Sequence, residues 1–201
     1  MAKLEQLAPG LRRWAAWHPE WRQEVGAVAV DTPDGLVLID PIDPPPEVRN
    51  PEHVLVTVHW HARTAGELDA PHVWAATREV RRLKNRGVVV TDPIEKDTEL
   101  PGGIKAFQTA REGEVVYWLP QQKALVVGDV LLGAGAKPNA TSEPLRLCPE
   151  NWLDGATTKQ LVKSLLPVLD LPLERILVSH GDPVLQGGKD VLKALIAPDK
   201  E

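Results

Sequence analysis

Two histidines at positions 59 and 61, Asp129 and His180 are the side chains best placed to do chemistry together. Each follows a short apolar run: Val54-Leu55-Val56-Thr57-Val58 leads into His59-Trp60-His61-Ala62-Arg63, Ala124-Leu125-Val126-Val127 into Gly128-Asp129, and Ile176-Leu177-Val178 into Ser179-His180-Gly181-Asp182. Runs this short and this rich in β-branched residues predict buried strands, which gathers the polar groups at strand ends. Side chains two apart on a strand share a face, so on extended geometry His59 and His61 both reach one cation. With Asp129 they make three ligands and leave a position for water, the ligand count with which catalytic zinc brings the pKa of its water to about 7. His180 is then a fourth ligand or a nearby base, and Trp60, between the two histidines, is predicted to face the other way.

The elements that must hold these groups can be read along the chain. The first forty residues form a meander of strands from Leu11 to Trp17, Val25 to Val30 and Leu36 to Ile39, with turns at His18-Pro19-Glu20 and Thr32-Pro33-Asp34-Gly35. After the histidine strand the pattern predicts a short helix from Thr64 to Leu68, a strand from Val73 to Ala75 and a helix from Arg78 to Arg86 closed by Gly87. Ile104 to Phe107, Val115 to Leu119 and Ala124 to Val127 return to strand, the last two joined as a hairpin. A helix from Thr157 to Leu169, the strand before His180 and a helix from Lys189 to Ile196 complete the order. Residues 41–51 and 133–151 read as loops.

In type and order these residues resemble the metallo-β-lactamase superfamily, in which H-x-H-x-D-H, a further lone His, a bridging Asp and a last His bind one or two zinc or iron ions. The resemblance spans nearly the whole chain and includes Leu36-Val37-Leu38-Ile39-Asp40-Pro41, which looks like the family's early strand ending in a supporting Asp. It implies an α/β fold, a four-layer αββα sandwich, over a single domain of residues 1–201. It carries His59 and His61 over from the first metal position, Asp129 from the bridging position and His180 from the second.

The departures from the pattern shape the expected chemistry. Arg63 and Thr64 stand where the family has D-H, and Gln108-Thr109-Ala110-Arg111 stands where its lone His is expected before Gly113. The resemblance therefore implies at most one zinc or iron ion, with Arg63, Thr64 and Cys148 bordering the pocket. Arg63, a permanent cation where the family has a carboxylate, is expected to approach Asp129 or His180 and can compensate Asp129 without any metal. Two functions remain open. One is a mononuclear metal-dependent hydrolase of an ester, thioester or amide, with Asp129 and His180 taking part in catalysis; the other is a non-catalytic, metal-free protein that keeps the fold to bind a small molecule or partner.

Composition bounds both readings. A chain of 201 residues with 43% hydrophobic content can bury one sizeable core. With 28 acidic against 23 basic residues the net charge is −5, which offers nucleic acid no general attraction. No apolar run approaches the roughly 20 residues of a membrane span, and Met1-Ala2-Lys3-Leu4-Glu5 opens no signal peptide, so a cytoplasmic location is expected. One cysteine excludes an internal disulfide and leaves histidines and carboxylates as ligands. Cys148 itself reads as a buried small hydrophobe, and Asp40 and Asp182 as turn residues. His18, His53 and His72 read as surface residues, and the cations from Arg78 to Arg86 as a solvated helix face.

Overall fold

The structure, a computed structural model, describes residues 3–197. Seven strands form the first sheet in the order in which the chain makes them: β1 (Glu5–Ala8), β2 (Leu11–His18), β3 (Gln23–Thr32), β4 (Gly35–Ile39), β5 (His53–Leu55), β6 (His72–Ala76) and β7 (Asp92–Ile94). Pairing is antiparallel from β1 to β4 and parallel from β4 to β7. The tight β3–β4 turn closes with Thr32 Oγ1 donating to the Gly35 carbonyl at 2.8 Å, and Gly35 takes a φ of +113° that a side chain would resist.

The second sheet has four strands, β8 (Lys105–Gln108), β9 (Val115–Leu119), β10 (Ala124–Val127) and β13 (Arg175–Val178), in the order β13-β10-β9-β8. A small ribbon of β11 (Leu131–Gly133) and β12 (Leu145–Leu147) lies in the connection after Asp129. The helices are α1 (Val80–Lys84), α2 (Thr158–Leu165) and α3 (Gly188–Ile196).

Strand alternation makes the layers. Val28, Val30, Val37 and Ile39 pack with Val115, Tyr117, Leu119 and Val126 between the two sheets. Their neighbours Ala27, Ala29 and Leu38 turn to the opposite face and pack with Val54, Val73 and Leu83 of α1. On the far side Val116, Trp118, Leu125 and Ile176 pack against Leu161 and Leu165 of α2 and Leu192 and Ile196 of α3. Three cores thus separate four layers in the order αββα, as period-two burial on both sheets requires. No described helix is long and apolar enough to cross a membrane.

Local chemistry explains where elements fall short of the sequence expectation. Thr157 caps α2 with a reciprocal Thr157–Gln160 box, but the α-helix stops at Leu165 and continues as a 3₁₀ turn, Leu166–Asp170. Pro167 has no N–H to donate back into the helix. The helix expected from Arg78 is a 3₁₀ turn, Thr77–Glu79, followed by the short α1, and the one expected after Thr64 is a single turn, Ala65–Glu67.

The histidine strand differs most. β5 ends at Leu55, the Thr57 N–H is taken by Asp40 Oδ1 at 2.8 Å, and His59–Ala62 coils into a 3₁₀ turn. His53 and His72 are not free surface residues. His53 is buried, with Nε2 3.1 Å from the Asp34 carbonyl, and His72 Nδ1 lies 3.0 Å from Asp92. His18, half-buried, stacks on Trp21 at a centroid distance of 3.9 Å.

Candidate metal centre

β10 and β13 run parallel with Val127 opposite Val178, so both strands end level. Asp129 and His180 each stand two residues beyond that level pair, which delivers both to one edge of the second sheet. The 3₁₀ turn after β5, closed by the His61 N–H donating to Val58 O at 2.8 Å, brings His61 from the first sheet to meet them. Asp129 Oδ1 then lies 3.1 Å from His61 Nε2 and 3.1 Å from His180 Nε2. One ligand atom from each residue sits within 4.8 Å of the other two, and all three are buried.

Behind His61 stands Asp40, at the end of β4. Its Oδ2 is 2.7 Å from His61 Nδ1 and accepts from Thr57 Oγ1 at 2.6 Å. Asp40 is therefore a supporting carboxylate rather than a turn residue, and its φ of +51° is the backbone twist that aims it inward. A His61 proton donated to Asp40 from Nδ1 leaves the Nε2 lone pair facing the Asp129 oxygen. Two acceptors at 3.1 Å need a cation, either a second proton or a metal. Burial and the Arg63 charge oppose protonation of His61, but Asp40 and Asp129 outweigh them and raise its pKa. Burial lowers the pKa of His180 despite Asp129. Burial would raise Asp129, yet His61 and His180 hold its carboxyl well below the usual range.

The second oxygen of Asp129 is occupied by a residue that the ligand reading left out. Arg111 Nη1 donates to Asp129 Oδ2 at 2.8 Å and to Glu114 Oε2 at 3.2 Å, while its Nε reaches Asp154 at 3.3 Å. Glu114 Oε1 in turn accepts the backbone N–H groups of Asp129 at 2.7 Å and Val130 at 3.0 Å. Burial first, then the neighbouring Asp129, push the Glu114 carboxyl up to about 7. Glycine is required at 128, because a Cβ there would meet Thr57 Oγ1 at 2.6 Å and Glu114 Oε1 at 2.8 Å. The sequence signal for Arg111 was its place in the stretch where a lone histidine is expected.

Solved structures with the same arrangement of layers are metallo-β-lactamases. One from Hirschia baltica is 14% identical, with 96% of this chain and 94% of that chain aligned at a TM-score of 0.67. Another from Pontibacter korlensis is 16% identical over 98% and 99% of the two chains, with a TM-score of 0.67. A metallo-β-lactamase family protein from Thermus thermophilus is 18% identical over 94% and 80%, with a TM-score of 0.62. The chain has the metallo-β-lactamase fold. No family model and no curated protein matches the sequence, so the likeness is one of tertiary structure.

Within this metallo-β-lactamase fold, four of the expected site residues make no direct bond to His61, Asp129 or His180. The backbone N–H of His59 donates to Glu79 Oε2 at 2.7 Å, and its Nδ1 bonds the same oxygen. Because residues 59–62 form a turn, the two histidines do not share a strand face, and His59 lies outside the three-residue ligand group. Replacing His59 with alanine is accordingly expected to leave metal stoichiometry unchanged in elemental analysis; its loss would return His59 to the ligand set.

Arg63 does not bond Asp129 or His180. Its Nη1 donates to the carbonyls of Gly26 and Asp40, each at 2.9 Å, and its Nη2 to Ser179 Oγ. Burial lowers its pKa to about 10 against the opposing pull of Asp40 and Asp129, so it remains a cation that acts on the centre through space. Thr64 bonds the Pro41 carbonyl at 3.2 Å and borders a separate cavity with Asp43, Glu67 and Asp69. Cys148 packs in the core against α2 and α3, and burial, then Glu114, push its thiol up to about 12. Trp60, expected to face away, is 40% exposed and lines the cavity beside Asp129 and His180.

The donor set fits a single zinc-class ion. Two imidazole nitrogens and a carboxylate oxygen suit zinc, and ligands around a tetrahedral ion with bonds of about 2.0–2.2 Å lie about 3.4 Å apart, close to the spacings seen here. The carboxylate behind His61 is the usual outer partner of a metal-bound imidazole. His180 Nδ1 is buried without a partner, and its Nε2 faces Asp129 Oδ1 at 3.1 Å, so the neutral ring carries its proton on Nε2, and an ion bound there would displace that proton. Among the described residues no second group of this kind occurs.

Proposed function

We propose that the protein is a hydrolase that holds one zinc-class ion on His61, Asp129 and His180 and cleaves an ester, thioester or amide bond of a small molecule. The observation that carries this reading is His61 set between two carboxylates, with Asp40 on Nδ1 and Asp129 facing Nε2. An ion bound there supplies Lewis acidity and a water acidified to a pKa of about 7. Asp40 fixes the ring orientation of His61, while Arg111 and the two backbone N–H groups held by Glu114 fix Asp129. The lowered pKa of His180 keeps its imidazole neutral near pH 7, free to act as a ligand or to accept a proton. A reducing compartment such as the cytoplasm suits a chain whose single cysteine is Cys148.

Elemental analysis of protein purified without added metal tests this, with about one ion per chain expected. Because Asp40 and Asp129 raise the pKa of His61, a metal ion competes with a proton for that imidazole. Metal affinity is therefore expected to fall as pH falls, and calorimetry in buffers of different ionisation enthalpy should show proton release. Uptake without proton release would contradict an imidazolium at His61.

A second reading, a metal-free binding protein, is favoured by one observation. Arg111 contacts Asp129 at 2.8 Å and buried Arg63 adds a second permanent charge, so the carboxylates already have cationic partners. Protein that stays fully folded and takes up no stoichiometric metal when supplied with zinc or iron would select it.

A further inference from the structure

The cavity beside the centre has a volume of about 570 Å³, within the range of small-molecule sites. Three of the chain's seven tryptophans, Trp21, Trp60 and Trp152, line it together with Arg111, Asp129 and His180. Two of the indoles are braced from outside the cavity. Trp21 stacks on His18 with an interplanar angle of 11°, and the Arg86 guanidinium lies 4.4 Å from the Trp60 ring centre. Such fixed aromatic walls lose little entropy on binding and suit a flat apolar body.

Charge supplies the other half of the recognition. Arg111 is only 5% exposed, its Nη1 and Nε are held by three carboxylates, and its Nη2 donates to no described residue while the side chain lines the cavity. A guanidinium locked in this way presents an unspent donor at no further cost in ordering. Lys137 is the other cation on the wall. Asp129 and Asp154 also line it, so two carboxylates face the two cations, which disfavours a dianion such as inorganic phosphate.

We propose that this cavity binds a small monocarboxylate carried on a planar apolar body, the carboxylate accepting from Arg111 Nη2 and the body lying against the tryptophans. As a statement of substrate class this rests on the hydrolase reading, whereas the binding itself needs no ion. Calorimetry and tryptophan fluorescence on the intact, metal-stripped protein test it with benzoate, its neutral isostere benzamide and inorganic phosphate as probes.

Benzoate is expected to bind at least about tenfold more tightly than benzamide, a ratio worth one charge-assisted hydrogen bond. Trp60→Ala, a change at an exposed side chain, should weaken benzoate several-fold. Arg111→Lys, where it folds, should weaken it as well, since a lysine cannot reproduce the fork. Equal binding of benzoate and benzamide, phosphate binding as strong as benzoate, or an unchanged Trp60→Ala affinity would each overturn the proposal. Ester hydrolysis without benzoate binding would sink this inference alone, and benzoate binding without metal uptake would sink the hydrolase reading alone.

Discussion

Replacing Arg111 with alanine is expected to cost about 3–5 kcal/mol of folding stability, the usual loss when one partner of a buried charge group is removed. For a chain of this size that corresponds to a fall in Tm of roughly 10 °C. The variant would leave Glu114, fully buried, and Asp129, 7% exposed, facing each other without the guanidinium that now touches both. Removing one of those charges should recover part of the loss, so Arg111→Ala with Glu114→Gln is expected to melt above Arg111→Ala alone.

The loss should also depend on pH. Glu114 is raised in the folded protein to about 7, above its ordinary value of 4.5, so between those values the folded chain holds a proton that the unfolded chain releases. This group's contribution is fully present at low pH and declines as pH rises through that window. Arg111→Ala should accordingly be less damaging near pH 5, where Glu114 is protonated, than above pH 7. Thermal melts across pH check this, and a variant melting within about 2 °C of the parent would show that the guanidinium does not hold the centre together.

Asp40→Asn is expected to weaken metal binding by about 10–100-fold, the range typical of lost outer-shell partners. The carboxylate accepts from His61 Nδ1 and so directs the Nε2 lone pair at the centre. An asparagine can turn its amide N–H groups toward Nδ1, which places the ring proton on Nε2, where the ion would sit. The same change removes one of the two charges that raise the pKa of His61, so the proton released on metal uptake should diminish. Competition against a chelator measures the affinity. An unchanged constant in a folded Asp40→Asn protein would mean that His61 is oriented by Thr57 alone, whose Oγ1 lies 3.0 Å from Nδ1.

Much of the architecture was legible because it is local. Alternation such as Val28-Ala29-Val30 and Val37-Leu38-Ile39 assigns each side chain to one core or another, and turn residues such as Thr32 to Gly35 pin the register. The convergence of Asp129 and His180 was implied by the family resemblance, and the fold produces it because β10 and β13, distant in sequence, pair in parallel and end level. The αββα layering was implied by the resemblance of that order to the metallo-β-lactamase superfamily, and the alternation is consistent with it.

The identity of the partners around that edge was decided by contacts far apart in sequence. His59 and His61 are alike as a spaced pair, yet Glu79, twenty residues on, holds one, and Asp40, twenty-one residues back, holds the other. That division exists because Asp40 captures the Thr57 N–H and turns the chain out of the sheet after β5, a competition between a side chain and a strand ladder that periodicity does not record. Arg111 and Arg63 show the same limit. Both are isolated cations in the sequence, and only the folded chain directs Arg111 to the carboxylates of Asp129 and Glu114 and Arg63 to the carbonyls of Gly26 and Asp40. Strand patterns are set by neighbours two residues apart, whereas each buried charge is set by whichever opposite group the packed layers bring within about 3 Å.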